Sequence, residues 1–382
     1  MLKYGFRKVD SANREKKKFS LRKKAIIILG AVLCLVVIVL ATAYGVFLHY
    51  YNKMNITSTD DDKIVTAIDY EDDDINEKDL TEDEKRLLEQ LFQEINLSEN
   101  EGNSDEYESM IANKDVTNIL LLGTDSRHKG NRRSRTDTMV ILSIDKKNKR
   151  MTMTSVLRDT YVTIPGIGKN RLNAAFVYGG ANLLFKTFEE NFDIHLDKYV
   201  QIDFYNFIDL VDTVGGVDMS LSEAEIKVMN KSYIPYINKS LKKKKNANLV
   251  KINSSGKYHL NGVQALAYSR VRYVGHGDFG RTERQRKVLN QLIKKTKHLS
   301  VSELNDLADI ILPMLSTNLS QGEVMSLLLN AKEFLNYKVV SGRMPVDGSY
   351  KYLMIRRASV LGVNFDTNRK YWYDLVYGEK KN

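Results

Sequence analysis

Residues Ala25 to Leu48, "AIIILGAVLCLVVIVLATAYGVFL", form the longest apolar run of the chain and carry no charge. A helix of that length covers about 36 Å at ~1.5 Å per residue, enough to cross a hydrocarbon core of ~30 Å with some tilt. The pattern predicts one N-terminal transmembrane helix at 25–48. A cleavable signal peptide is the alternative, because Ala41-Thr42-Ala43 has small-x-small character; the run is longer than the usual ~7–15 residues of such a segment. Further on, Leu80, Leu87, Leu88, Leu91 and Ile95 fall on a helical stripe within an acidic stretch. Thr81 with Glu84 offers a capping box, so a short helix in a stalk is expected there.

From residue 116 the periodicity becomes that of a packed domain. "VTNILLLG" reads as a buried central strand, followed by strands at 138–145 and 149–157 around the basic turn "KKN". A helix at about 179–191, a strand at 199–204 and a helix stopped by Gly215-Gly216 come next. "VDMSL" reads as a further strand, "LNGVQALAYSRVRY" as a helix and "YKVVSGRM" as a late strand; helices are expected near 283–298, 303–314 and 321–335. "SLKKKKNANLVKINSSG" reads as a solvated surface excursion. Strands mixed with helices over about 265 residues predict an α/β fold, one three-layer α/β/α domain with a central mixed sheet. The expected organisation is a tail at 1–24, the span, a stalk at 49–115 and the domain at 116–382.

Charge divides along the same boundaries. Residues 1–24 carry ten Lys/Arg against Asp10 and Glu15, residues 60–108 hold twenty Asp/Glu against four Lys/Arg, and 109–382 is left at +17 of an overall +10. A basic tail before the span and an acidic segment after it place the N-terminus in the cytoplasm and the domain outside. That topology disfavours nucleic acid as a partner, and a basic external domain points instead to lipid head groups, pyrophosphates and acidic polymers. Cys34 is the only cysteine, so no internal disulfide can form, and the six histidines are too scattered for a zinc site.

Five polar clusters carry the candidate chemistry. "LLGTDSR" offers Asp125 and Arg127 just past a strand end, where open α/β sheets often bind ligands, although Gly-Thr-Asp-Ser is also ordinary turn chemistry. "RRSRTDTM" offers Arg135 and Asp137, and a carboxylate entering a buried strand needs a partner, either an arginine or a metal shared with Asp125. "SVLRDTYVTIPGIGKNRLNAAF" offers Arg158, Asp159 and Arg171, and "AYSRVRY" offers Arg270 and Arg272. "GDFGRTERQRKVL" sets Asp278 beside Arg281, Arg284 and Gln285, the last three on adjacent helical faces.

Together these motifs, with "VDTVGGVD" and "LNGVQALAYSRVR", resemble the LytR-CpsA-Psr family of membrane-anchored cell-wall enzymes over roughly residues 116–300. Leu157 stands where the family often has proline, Thr136 where it often has serine, and Arg171-Leu172 where lysine-isoleucine is common. The resemblance implies a phosphotransferase that moves a polyprenyl-pyrophosphate-linked glycopolymer, such as wall teichoic acid or capsule, onto peptidoglycan at the outer face of the membrane. It implies Mg²⁺ or Mn²⁺ held by Asp125 and Asp137, and catalytic roles for Arg158, Arg270, Arg272, Asp278 and Arg281. Those arginines, with Arg127, Arg135, Arg171, Arg284 and Gln285, would bind the pyrophosphate. Asp278 would deprotonate the acceptor hydroxyl or orient Arg281. The apolar helices near 179–191 and 204–214 either frame a groove for the polyprenyl chain or form ordinary core. A pyrophosphate hydrolase would use the same site, and a membrane-associated regulator is the remaining alternative.

Overall fold

The computed structural model describes residues 44–57, 64, 81–82, 85–86, 89–90, 115–124, 134–251, 254–297, 300–355 and 358–378. The chain divides into two units, Met1–Asn52 and Lys53–Asn382. The first is described only from residue 44, where a helix runs to 51, so most of the expected span lies outside the described residues. Among the described residues no helix is long and apolar enough to cross a membrane.

The second unit is built on a seven-stranded mixed sheet. In chain order its first elements are β1 (Asn55–Ile56), β2 (Val116–Thr124), β3 (Thr136–Asp145), β4 (Arg150–Val156), β5 (Tyr161–Ile164), β6 (Gly168–Arg171) and α1 (Leu172–Phe192). There follow β7 (Tyr199–Asp203), α2 (Phe204–Thr213), β8 (Val217–Leu221), α3 (Glu223–Val228), a π turn and α4 (Ile234–Ser240). Next come β9 (Gly256–Leu260), α5 (Gly262–Arg270), α6 (Gly277–Thr296), α7 (Val301–Ile311), β10 (Ser316–Thr317) and α8 (Gln321–Phe334). The chain ends with β11 (Lys338–Met344), the hairpin β12 (Tyr350–Ile355) and β13 (Ala358–Val363), and α9 (Phe365–Tyr377). The sheet order is β1-β10-β7-β2-β3-β4-β11. β2 runs parallel to β7 and β4 parallel to β11, with β3 antiparallel between β2 and β4.

Alternation along β2 explains the layers, because neighbouring side chains of a strand point to opposite faces. Leu120 and Leu122 enter the main core with α1 and α9, whereas Ile119 and Leu121 join the cluster that includes Phe334 and Tyr337 on the other face. Helices therefore cover both faces, as expected.

Two expectations need correction. The sheet reaches upstream of residue 116: Asn55–Ile56, assigned to the stalk, pairs in parallel with Ser316–Thr317. The helix expected from 179 begins at Leu172, because Gly179-Gly180 kinks it instead of starting it. Gly180 takes φ 61°, a region open chiefly to glycine. The "VDMSL" strand forms as expected and pairs with β9 in a separate two-stranded sheet. The β5–β6 and β12–β13 hairpins, α3, α4 and α9 were not anticipated.

Candidate active site

β2, β4, β7 and β11 all run in one direction, and the polar clusters gather at their C-terminal ends. The register Val140↔Ser155 between β3 and β4, carried past the last pair, brings Asp137 opposite Arg158. The two side chains form an ion pair. Arg158 Nε lies 3.5 Å from Asp159 Oδ1, and Arg171, at the end of β6, places Nη1 3.8 Å from the same oxygen. Arg272 follows α5 and bridges two carboxylates, with Nη2 3.7 Å from Asp159 Oδ2 and 2.6 Å from Asp278 Oδ2. Asp278 sits in the first turn of α6, where the helix dipole favours an anion. Arg281, one turn on, brings Nη2 to 2.9 Å from Asp278 Oδ1. The backbone after α5 and before α6 turns through Gly275 and Gly277, both at positive φ.

Arg270 ends α5 with its guanidinium 4.5 Å from the Phe204 ring centroid and 5.6 Å from that of Tyr236. Among the described residues the site thus joins Arg158, Arg171, Arg270, Arg272 and Arg281 to Asp137, Asp159 and Asp278, five guanidinium groups to three carboxylates. Buried cations in excess of carboxylates are costly unless an anion joins them.

The titration behaviour expresses the same imbalance. Burial works to raise the Asp137 pKa, but the charges of Arg158, Arg281 and Arg270 outweigh it and hold the carboxyl below its usual range. Asp278 behaves likewise: burial opposes ionisation, and Arg281 and Arg272 more than compensate. Burial also works against the Arg158 cation, yet Asp137, Asp159 and Asp278 hold its pKa above the usual value. Arg281 goes the other way. Burial first, and the neighbouring Arg158 charge second, lower it to about 10. Its Nε and Nη2 are buried without a hydrogen-bond partner among the described residues, since the 2.9 Å approach to Asp278 is poorly aligned.

Beside this cluster, between the sheet and helices α2, α5 and α6, lies an apolar cavity of ≈190 Å³. Leu121, Val140 and Ile202 line it from the sheet, and Phe204, Phe207, Leu266, Val288 and Leu292 from the helices. Thr138, Ser269 and Gln285 also line it. Phe204, which lines the cavity, has the Arg270 guanidinium 4.5 Å from its ring centroid, so the cavity borders that arginine. Of the two helices expected either to frame a lipid groove or to form core, 204–214 lines this cavity. The other, around 179–191, contributes Leu183, Leu184 and Phe188 to the main core.

Arg284 is not part of the site. It is buried and fully engaged, with Nε donating to Glu225 Oε1 at 2.8 Å and its Nη groups donating to the carbonyls of Val271 (3.1 Å) and Val274 (2.8 Å). The residue clamps α6 to α3 and to the 271–274 segment, away from the Asp137, Asp159 and Asp278 carboxylates that hold the other arginines. Gln285 faces the apolar cavity, and Arg135 stands half-buried immediately before β3. Asp125 and Arg127 lie outside the described residues. Sequence reasoning placed Asp159 in a cluster but gave it no role, although it lies near three arginines. The motif "LRDTY" carried that signal, but which arginines converge on it depends on the tertiary arrangement.

An α/β domain thus gathers five arginines and three carboxylates at its strand ends, beside an apolar cavity. The chain belongs to the LytR-CpsA-Psr family, whose model matches residues 64–373. It is similar to TagU of Bacillus cereus, a polyisoprenyl-teichoic acid–peptidoglycan teichoic acid transferase, at 32% identity over 231 residues, 60% of this chain and 68% of TagU. It is also 32% identical over 275 residues to the regulatory protein MsrR of Staphylococcus aureus, covering 71% of this chain and 77% of MsrR. Among solved structures, YwtF (TagT) of Bacillus subtilis with bound octaprenyl pyrophosphate lipid aligns with a TM-score of 0.50 and 27% identity, over 70% of this chain and 92% of that one.

Proposed function

We propose that the protein is a phosphotransferase that moves a polyprenyl-pyrophosphate-linked anionic glycopolymer onto a sugar hydroxyl of peptidoglycan. The observation that carries this reading is the convergence of arginines beside an apolar cavity, together with the octaprenyl pyrophosphate bound by a similar structure. In this reading the polyprenyl chain enters the cavity and its pyrophosphate meets Arg158, Arg270, Arg272 and Arg281. The acceptor hydroxyl oxygen forms a bond to the phosphorus next to the glycopolymer. The bond between that phosphorus and the bridging oxygen breaks, and polyprenyl phosphate leaves, its freed oxygen taking up the proton that the hydroxyl gives up. Guanidinium groups suit this step because they bind phosphate oxygens in a fork and offset charge as it shifts to the leaving group. Phosphoryl transfer rests on positioning and charge more than on a strong base. We therefore assign Asp278, held ionised between Arg272 and Arg281, the role of orienting those two arginines.

Mg²⁺, or Mn²⁺ in its place, belongs to the proposal, with Asp137 and Asp125 as its protein ligands. Among the described residues no group of three or more His, Cys, Asp or Glu gathers that could hold a metal ion. A donor set of one or two carboxylates suits Mg²⁺, which usually keeps waters and completes its shell with substrate phosphates. When bound, the ion would neutralise charge on the pyrophosphate. Anchoring by 25–48, with the domain outside the cell, completes the reading.

Product analysis tests it. With a synthetic lipid-linked donor and a soluble peptidoglycan fragment, the expected products are polyprenyl phosphate and a glycan–phosphodiester conjugate. Free polymer phosphate as the sole product, unaffected by acceptor, would make the protein a hydrolase instead.

A further inference from the structure

Helix α6 has two functional faces. Asp278, Arg281, Gln285 and Val288 look toward the site and the apolar cavity. Phe279, Glu283 and Arg286, at i, i+4 and i+7, look toward a second cavity of ≈290 Å³ that Arg343 and Tyr350 close from β11 and β12. This second cavity sets charged side chains beside the rings of Phe279 and Tyr350. The Phe279 and Tyr350 rings stand 4.8 Å apart, and the Tyr350 and Tyr352 rings 5.9 Å apart. Tyr352 is 62% exposed, so its ring lies largely uncovered in water. The Arg343 guanidinium lies 4.2 Å over Phe279 and pairs with Asp347. Arg286 has no such pairing: its Nη1 is buried with no hydrogen-bond partner among the described residues. Glu283, which could neutralise it, is ion-paired with Lys287 at 2.7 Å.

Aromatic faces that pack on the C–H surfaces of sugar rings, next to a half-buried guanidinium whose Nη1 finds no partner among the described residues, suit a glycan that carries carboxylates. Two observations connect this cavity to the chemistry. The hairpin that carries Tyr350 and Tyr352 is fastened to the arginine cluster, with the Leu361 N–H donating to the Asp159 carbonyl at 2.9 Å. The hairpin also lies within electrostatic reach of the site: burial first, then Tyr350, Asp278 and Asp159, raise the Tyr352 pKa. In-line displacement sets the attacking oxygen opposite the leaving one. With the polyprenyl phosphate leaving on the cavity face of α6, the nucleophile approaches from the hairpin side.

We propose that the cavity between α6 and the β12–β13 hairpin binds the acceptor, a carboxylate-bearing N-acetylated glycan strand stacked on Tyr350 and Tyr352 and held by Arg286. The inference rests on the transferase reading. Its test separates the two. Titrating the full chain in detergent with a soluble N-acetylglucosaminyl–N-acetylmuramyl oligomer, without donor, reads acceptor binding alone. Tyr352→Ala and Arg286→Gln should each weaken that binding about tenfold, as expected for a lost ring contact or charged hydrogen bond. The acceptor KM should rise in parallel, with the donor KM unchanged, and Tyr352→Phe should retain parental affinity. Tyr352 is exposed enough that its variant folds even if Arg286→Gln does not. No oligomer binding by the parent, unchanged binding by Tyr352→Ala, or a rise in donor KM instead would each overturn the acceptor site. Oligomer binding by a parent that cleaves no donor would overturn the transferase reading while leaving the glycan site standing.

Discussion

Arg281 is a buried cation whose neighbours include two further arginines, and its pKa falls to about 10 through burial and the Arg158 charge. A folded-state pKa below the ordinary value of a base means that holding the proton at neutral pH costs stability. That cost is fully present below pH 10 and is relieved only as pH rises beyond it. An anionic ligand removes it. Replacing the residue with an apolar one of similar length should therefore leave the ligand-free protein at least as stable. We expect Arg281→Met to melt no lower than the parent, and up to a few degrees higher, while donor cleavage is lost. Differential scanning calorimetry beside a cleavage assay reads both, and a large fall in melting temperature would show that Arg281 is a structural residue. Asp278 can be tested alongside. As an orienting carboxylate it should lose, in Asp278→Asn, about as much turnover as a missing charge-stabilising donor, roughly 10²–10³. The pH profile of the remaining activity should keep its shape. Disappearance of an acidic limb from that profile would identify Asp278 as the general base.

Helix α6 shows how one element serves several ends, and why the sequence could mislead. Spacing put Arg281, Arg284 and Gln285 on adjacent faces, which is correct, but only the fold shows that the three faces meet different surroundings. Glu225, the partner of Arg284, lies 59 residues away and could not be foreseen from local pattern. Removing one member of a buried pair typically costs ~3–5 kcal/mol. Arg284→Ala should lower stability by that order, with turnover per folded molecule near the parental value. Glu225 adds a pH signature. Burial works to raise its pKa, but the Ser222 backbone N–H and Arg284 outweigh it, holding the value below the ordinary 4.5. Its contribution is present above 4.5 and is lost as pH falls through the lower folded value. Acid unfolding of a Glu225→Gln variant should accordingly be shallower than that of the parent below pH 4.5. α5 sets a different limit: a Cβ on Gly262 would meet the Ile208 carbonyl oxygen at 2.2 Å. Gly262→Ala must push α5 away from α2, a strain of about 1–3 kcal/mol, and should weaken binding of a polyprenyl phosphate probe as well as stability.

At the scale of the whole molecule, the layers and most sheet strands were legible because continuous apolar runs such as "ILLL" need cover on both faces. The hairpins were not, since "YVTI" and "GKNR" are short and lack strong alternation, and β1 was hidden by the acidic sequence that follows it. The Asp137–Arg158 pairing was legible as a need for a partner, while the identity of the arginine required the β3–β4 register. β1 also alters where the folded unit begins. Lys53 pairs with Asp309 at 2.7 Å, and Asn55 Nδ2 donates to the Pro313 carbonyl at 2.8 Å. A chain of residues 53–382 should melt several degrees above one of 116–382, and equal melting temperatures would return Asn55–Ile56 to the stalk. The central claim is that the arginine cluster faces the reacting pyrophosphate, and single-turnover cleavage of a polyprenyl-pyrophosphate-linked glycan by the full chain and by Arg281→Lys tests it most directly. A lysine lacks the fork, and burial would bring its lower pKa closer to neutrality. The account predicts that Arg281→Lys keeps donor binding within a few fold but cleaves about 10²–10³ times more slowly. Cleavage at the parental rate would contradict it.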